Sequence, residues 1–256
     1  MKYKQPLLCC LLLAISSLSR NTAAEQATIA VAANFTAPMK AIVAQFEKTS
    51  PHQIRLSFGS SGKFFAQIRQ GAPYDVLFSA DQEKPNALIM QKMAVGDSCF
   101  TYALGKLVLW SSDKQLLLSG NKALLNGNFK KLALANPRLA PYGLAAQQVL
   151  EHLSLKPAVS GKLVLGENIA QTFQFIHSGN AELGFVAVSQ LAALQADKRG
   201  SSWEIPANLY TPIRQDAVLL TRASNNAAAR ALIEFTKTPA ARTLIENYGY
   251  SLPPIQ

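Results

Sequence analysis

Chemistry in this chain starts at one short stretch, Phe58-Gly59-Ser60-Ser61-Gly62-Lys63. It follows a strand-like run, Gln53 to Ser57, and opens a helix-like run, Phe64 to Arg69. Two glycines let the backbone turn tightly and approach a guest closely. Two serines bring hydroxyls, and the first turn of a helix brings N–H groups with no internal partner. A strand, a Gly/Ser turn and a helix start together make a seat for an anion. The same residues also read as an ordinary strand–helix turn with a serine cap.

Other reactive arrangements fail on spacing. Gly59 to Lys63 lacks the Gly-x-x-x-x-Gly-Lys-Ser/Thr pattern of a nucleotide-binding loop. No Gly-x-Ser-x-Gly elbow is present. His52, His152 and His177 lie far apart in the chain and suggest no base or metal set. Asp75 and Asp81 flank one strand and could pair as acid and base, although a strand-edge residue and a helix cap explain them as well. An exported hydrolase is therefore a weak alternative.

The elements that must position the Gly/Ser turn follow from periodicity. Thr28–Ala32 reads as a buried strand, followed by Ala33-Asn34 and a helix over 37–48 with Met39, Ile42, Val43 and Phe46 on one face. The strands 54–58 and 75–79 follow, so the order is β-α-β-α-β-α and the sheet mostly parallel. Tyr102–Trp110 reads as one long strand that crosses to a second lobe. There, strands at 131–136, 162–166 and 183–187 alternate with helices at 144–153 and 170–177. Ala217–Leu220 returns to the first lobe, and helices at 226–236 and 239–247 close the chain. Ligands in such sheets sit at the carboxyl ends of strands, where Asn34 and Ser61 lie.

The 256 residues include 49% apolar and 16% charged residues, enough to bury two cores. The formal charge is +10, but the basic residues are scattered and form no nucleic-acid patch. Residues 1–24 read as a cleavable signal: Lys2 and Lys4, an apolar run from Leu7, then Thr22-Ala23-Ala24. Its removal takes away Lys2, Lys4 and Arg20, lowering the charge from +10 to +7, and leaves Cys99 as the single cysteine. One cysteine makes neither an internal disulfide nor a thiolate metal site.

With these pieces in view, the chain resembles the periplasmic molybdate-binding proteins of ABC importers. The resemblance rests on Ala32-Ala33-Asn34-Phe35-Thr36, Gly59-Ser60-Ser61-Gly62, Gly71-Ala72-Pro73-Tyr74-Asp75-Val76 and Phe78-Ser79-Ala80-Asp81. Gly105 to Leu109, Asn136-Pro137, Ala140-Pro141-Tyr142-Gly143, Glu167-Asn168 and Leu183 to Ala187 continue it over nearly the whole exported chain. It implies an α/β fold, the two-lobed type II periplasmic binding protein: two mixed, mostly parallel sheets flanked by helices, with the ligand cleft between the lobes. Lobe 1 would take residues 25–105 and 214–256, and lobe 2 residues 106–213. The implied ligand is molybdate or tungstate, with another tetrahedral oxyanion such as sulfate as the alternative. The implied partner is the membrane permease of an ABC importer, and the implied state is a periplasmic monomer without a cofactor, catalytic residues or direct metal ligands.

By motif position, the resemblance assigns the oxyanion seat to Ala33, Asn34, Ser61, Tyr142 and Ile169. Asn34, with the Ala33 backbone, stands where the family usually has Ser or Thr. Tyr142 stands where many members have Ala. Ile169 takes a place, often Val, whose backbone N–H meets an oxygen. Many members carry a Tyr where this chain has Ala187, so the Tyr142 hydroxyl is expected to supply the missing donor.

Overall fold

The structure, a computed structural model, describes residues 24–254. The expected signal segment lies, but for Ala24, outside the described residues. Apolar strands alternate with amphipathic helices, and the chain lays them down as two sheets. The first half runs β1 (Gln26–Ala32), α1 (Thr36–Thr49), β2 (Gln53–Gly59), α2 (Ser61–Arg69), β3 (Val76–Phe78), α3 (Glu83–Met90) and β4 (Phe100–Gly105). The chain then runs through β5 (Leu107–Ser111), α4 (Lys122–Asn126), β6 (Leu132–Ala135), α5 (Pro141–His152), α6 (Lys156–Val159), β7 (Leu163–Gly166), α7 (Ile169–His177), β8 (Leu183–Ala187), α8 (Val188–Ala192) and β9 (Ser201–Glu204). It finishes with β10 (Ile213–Leu219), α9 (Ala227–Lys237) and α10 (Pro239–Asn247).

The first sheet has the order β2-β1-β3-β10-β4 and the second β7-β6-β8-β5-β9. In each, the fourth strand alone runs antiparallel to its neighbours: β10 against β3 and β4, and β5 against β8 and β9. Both reversed strands are the ones that have just crossed from the other sheet. They therefore enter from the edge where the parallel strands end. The expectation of mixed, mostly parallel sheets holds.

Each sheet is covered on both faces, as a parallel sheet requires. In the first, Met39, Ile42, Val43 and Phe46 of α1 pack with Ile29, Val31 and Phe78, while Phe64, Ile68 and Leu88 cover Leu77 and Val218 on the other face. In the second, Val149 and Leu150 of α5 meet Leu107, Leu132 and Phe185, and Ile176 of α7 meets Trp110 and Val186.

Four local expectations need correction. The run Tyr102–Trp110 is two strands, β4 and β5, in different sheets, broken at exposed Lys106. Continuous hydrophobicity could not show the break, because both halves are buried. Helix α5 starts at Pro141, three residues before the expected Leu144, with proline at the first position, where its missing N–H costs nothing. Strand β10 starts at Ile213 and not Ala217, since polar Arg214, Gln215 and Asp216 belong to it. Strand β9 was not anticipated; it is a short, polar edge strand, a common form for an edge.

Register sets up the site. Ala32 of β1 pairs with Gly59 of β2, and Val31 with Phe78 of β3. The carboxyl ends of these three strands are thus level. Ala135 of β6 is likewise level with Gly166 of β7. Helices α1, α2, α5 and α7 start from these level ends in the two sheets.

Candidate functional site

The level strand ends meet across the gap between the sheets and line a small cavity, with about 10 Å³ of free space. Ala33 and Asn34, Ser61, Tyr142 and Ile169, widely separated in sequence, all line it. Gly59, Ser60, Ala80, Pro141 and Asn168 complete most of the wall. No lining residue carries a formal charge.

Four helix starts border this cavity, and each has a backbone amide left uncommitted. Before α1, Ala33–Phe35 forms a 3-10 turn whose entry at Ala32 has no side-chain cap. At α2, Ser60 caps the amide of Lys63, and the amide of Gly62 bonds Leu139 O at 2.9 Å, so the Ser61 amide is left over. At α5, Pro141 has no N–H and the Gly143 amide bonds Ala140 O, which leaves the Tyr142 amide. At α7, Asn168 Oδ1 accepts from Ala170 and Gln171, both at 3.0 Å, which leaves the amide of Ile169. Each such terminus carries roughly half a positive charge. Replacing Asn168 by alanine should cost about 1 kcal/mol by loss of this cap. In a chain of this size that is a fall of about 2–4 °C in melting temperature, readable by calorimetry.

The hydroxyls of the wall are set to donate. Ser61 Oγ accepts the amide of Ala80 at 2.9 Å, in full burial, which turns its own proton away from that amide. Ser60 Oγ accepts the amide of Lys63. Asn34 Nδ2 donates to Gln215 Oε1 at 2.8 Å and to the Tyr250 hydroxyl at 2.9 Å. Both its hydrogens are engaged, so the donor Asn34 brings to the cavity is its main-chain N–H.

Tyr142 has a partner that the sequence did not suggest. Its hydroxyl accepts from Gln215 Nε2 at 3.2 Å and lies against Gly105 of β4. Its amide, at the start of α5, is left without a partner there. Burial, then the neighbouring Tyr250 and Tyr102, push its pKa well above the usual phenol value. Ala187 does not line the cavity; its amide is taken by Gln190 Oε1. The buried hydroxyl that sequence reasoning missed belongs to Tyr250. It donates to Asn34 O at 2.8 Å, lies 3.0 Å from Ser189 Oγ, and has its pKa pushed up to about 12 by burial. Gln215 was missed too. Its signal was a pair of polar residues, Gln215-Asp216, at the mouth of an apolar strand.

The lobes are held together around the cavity. Besides the Gly62–Leu139 bond, Lys63 Nζ pairs with Glu167 Oε1 at 2.6 Å, and Ser189 Oγ donates to Asn34 O at 2.9 Å. The Lys63–Glu167 pair is about half exposed and contributes at most about 1 kcal/mol. Asp75 and Asp81 are no acid–base pair. Asp75 accepts from the Thr28 amide and pairs with Arg222, while Asp81 caps α3 at the Lys84 amide and pairs with the Lys84 ammonium. The three histidines lie on separate elements: His52 just before β2, His152 on α5 and His177 on α7. Among the described residues no cluster of His, Cys, Asp or Glu is placed to hold a metal ion.

The model of a family described as bacterial extracellular solute-binding proteins matches residues 27–251. The chain is 49% identical to the molybdate-binding protein ModA of Azotobacter vinelandii, over 90% of this chain and 91% of that protein. It is 44% identical to the ModA of Rhodobacter capsulatus, over 92% of each. Its fold superposes on the solved periplasmic molybdate-binding protein of Azotobacter vinelandii with a TM-score of 0.85, at 40% identity, covering 89% of this chain and 99% of that one.

Proposed function

The chain belongs to the bacterial extracellular solute-binding family, and from that premise we propose that it binds molybdate in the periplasm and delivers it to the permease of an ABC importer. Tungstate, nearly the same in size and charge, is the second ligand of this reading. The protein is a carrier and not an enzyme, works without a cofactor, and acts as a monomer of two lobes, residues 25–105 with 214–256 and residues 106–213. The kinship with molybdate-binding ModA proteins supports the ligand.

The observation that carries the reading is the cavity wall: four helix starts and no charged side chain. A dianion there is held by fixed dipoles and hydrogen-bond donors. The amides left over at Asn34, Ser61, Tyr142 and Ile169, with the Ser61 hydroxyl, are the donors of this proposal. Hydrogen phosphate would bring a proton into a wall whose Ser60, Ser61 and Asn168 oxygens already accept protein N–H groups. A polar hydrogen buried without a partner costs about 1–3 kcal/mol. Sulfate is equally acceptor-only, so its exclusion rests on size.

Competition calorimetry on the ligand-free exported chain tests this. Molybdate and tungstate should displace one another at similar concentrations, sulfate only in more than about 100-fold excess, and phosphate not at all. Binding should be flat between about pH 6 and 9, since burial keeps the Tyr142 phenol, ordinarily near 10, neutral throughout. Sulfate binding as tightly as molybdate would replace molybdate by sulfate as the ligand.

A further inference from the structure

One buried side chain joins both lobes at the floor of the cavity without lining it. Gln215 is fully buried on β10, the second crossing strand. Its Oε1 accepts from Asn34 Nδ2 at 2.8 Å and from the Tyr102 hydroxyl at 2.9 Å, both in the first lobe. Its Nε2 donates to the Tyr142 hydroxyl at 3.2 Å, in the second lobe.

Strand geometry shows that this placement is built. The pairing of β10 with β4 slips between Gln215 and Asp216. Such a bulge re-aims the side chains beside it. Here it lets two adjacent polar residues both face inward: Gln215 to the cavity floor, and Asp216 to Thr101 Oγ1 at 2.7 Å and Gln82 Nε2 at 3.1 Å. Opposite, on the first crossing strand, Gly105 makes room. A Cβ there would lie 2.9 Å from Tyr142 Cζ and closer still to the Tyr142 hydroxyl and Gln215 Nε2. Both crossing strands thus meet the tip of the Tyr142 ring.

The geometry points to Gln215 as a positioning residue for oxyanion binding: its bond to the Tyr142 hydroxyl is a clasp between the lobes that sets the start of α5, and hence the Tyr142 amide, against the anion. The inference rests on the oxyanion-carrier reading above. Tyr142 acts here through its main chain, and its ring is a strut. Closing the lobes makes the clasp and opening them breaks it, so its loss speeds release of the ligand more than it slows capture.

Stopped-flow kinetics and small-angle scattering on Tyr142→Phe, Gln215→Leu and the double variant test the clasp with molybdate as the probe. Each single variant should release molybdate about tenfold faster, with association within about twofold of the parent, and should show less compaction on binding. The double variant should be no worse than the poorer single one, because residues that act through one bond are not additive. Additive losses would mean that the Tyr142 hydroxyl works on the anion independently of Gln215. A parental release rate in Tyr142→Phe would make the bond idle. Either result overturns the proposal. If Gln215→Leu fails to fold, Gln215→Glu replaces it. Its carboxylate accepts from Asn34, Tyr102 and the Tyr142 hydroxyl, so the clasp persists with reversed polarity and compaction should match the parent; loss of compaction overturns the proposal. A parent that ignores molybdate removes the premise and the clasp with it, whereas a parent that binds beside silent variants removes only the clasp.

Discussion

Replacing Gly62 by alanine should weaken molybdate binding by at least about 100-fold, or about 2.7 kcal/mol, while leaving the unliganded fold intact. A Cβ at Gly62 would lie 2.9 Å from the carbonyl oxygen of Leu139 and 3.1 Å from its Cα. Both are main-chain atoms of the opposite lobe, so no side-chain rotation relieves the clash. The same glycine donates its amide to that carbonyl in the closed arrangement. Within its own lobe the change is harmless, since alanine in a helix is favoured over glycine by roughly 0.5–1 kcal/mol. The diagnostic is therefore a split. The melting temperature without ligand should hold or rise slightly, while the shift on adding molybdate should largely vanish. Scattering should show little compaction. Parental affinity in this variant would mean that the lobes need not approach to this distance for the anion to be held.

Ser61→Ala should weaken molybdate binding by about 1.5–3 kcal/mol, the worth of a hydrogen bond to a charged group, which is roughly 10- to 150-fold. Unlike the glycine change, it should also reduce stability. Ser61 Oγ is the acceptor for the buried amide of Ala80, in the loop after β3. Alanine leaves that amide unpaired, at about 1–3 kcal/mol. Calorimetric titration and thermal melts, run together, should show both losses. A fall in melting temperature with unchanged affinity would mean that Ser61 only braces Ala80 and gives nothing to the anion.

Much of this protein was set by neighbours in sequence. The spacing of Met39, Ile42, Val43 and Phe46 marked the buried face of α1, and all four are buried. Gly59-Ser60-Ser61-Gly62 marked a strand–turn–helix with an anion seat, and the structure puts β2, the Ser60 cap and α2 there. Alternating strands and helices fixed the class of fold, because each element must bury one face against the next. These are relations between residues a few positions apart, and backbone sterics, capping and periodicity act over that range.

What remained depended on contacts across long separations. The Tyr102–Trp110 run could not show its break, because the same apolar pattern suits the end of one sheet and the start of another. The role of Gly62 depends on Leu139, which only the approach of the lobes brings near. Motif position placed Tyr142 at the cavity, but its hydroxyl was expected on the ligand. The tertiary structure adds what motif position could not show: the hydroxyl accepts from Gln215 and lies beside Gly105, because a ring leaving the first turn of α5 reaches the crossing strands. Tyr250 carries no local signature, and the polar pair Gln215-Asp216 at the start of an apolar strand does not say what it will meet. The polar atoms of Gln215 and Tyr250 find partners far away in the chain, Asn34 and Tyr102 in the same lobe and Tyr142 and Ser189 in the other, and a buried polar group is stable only where such partners wait for it.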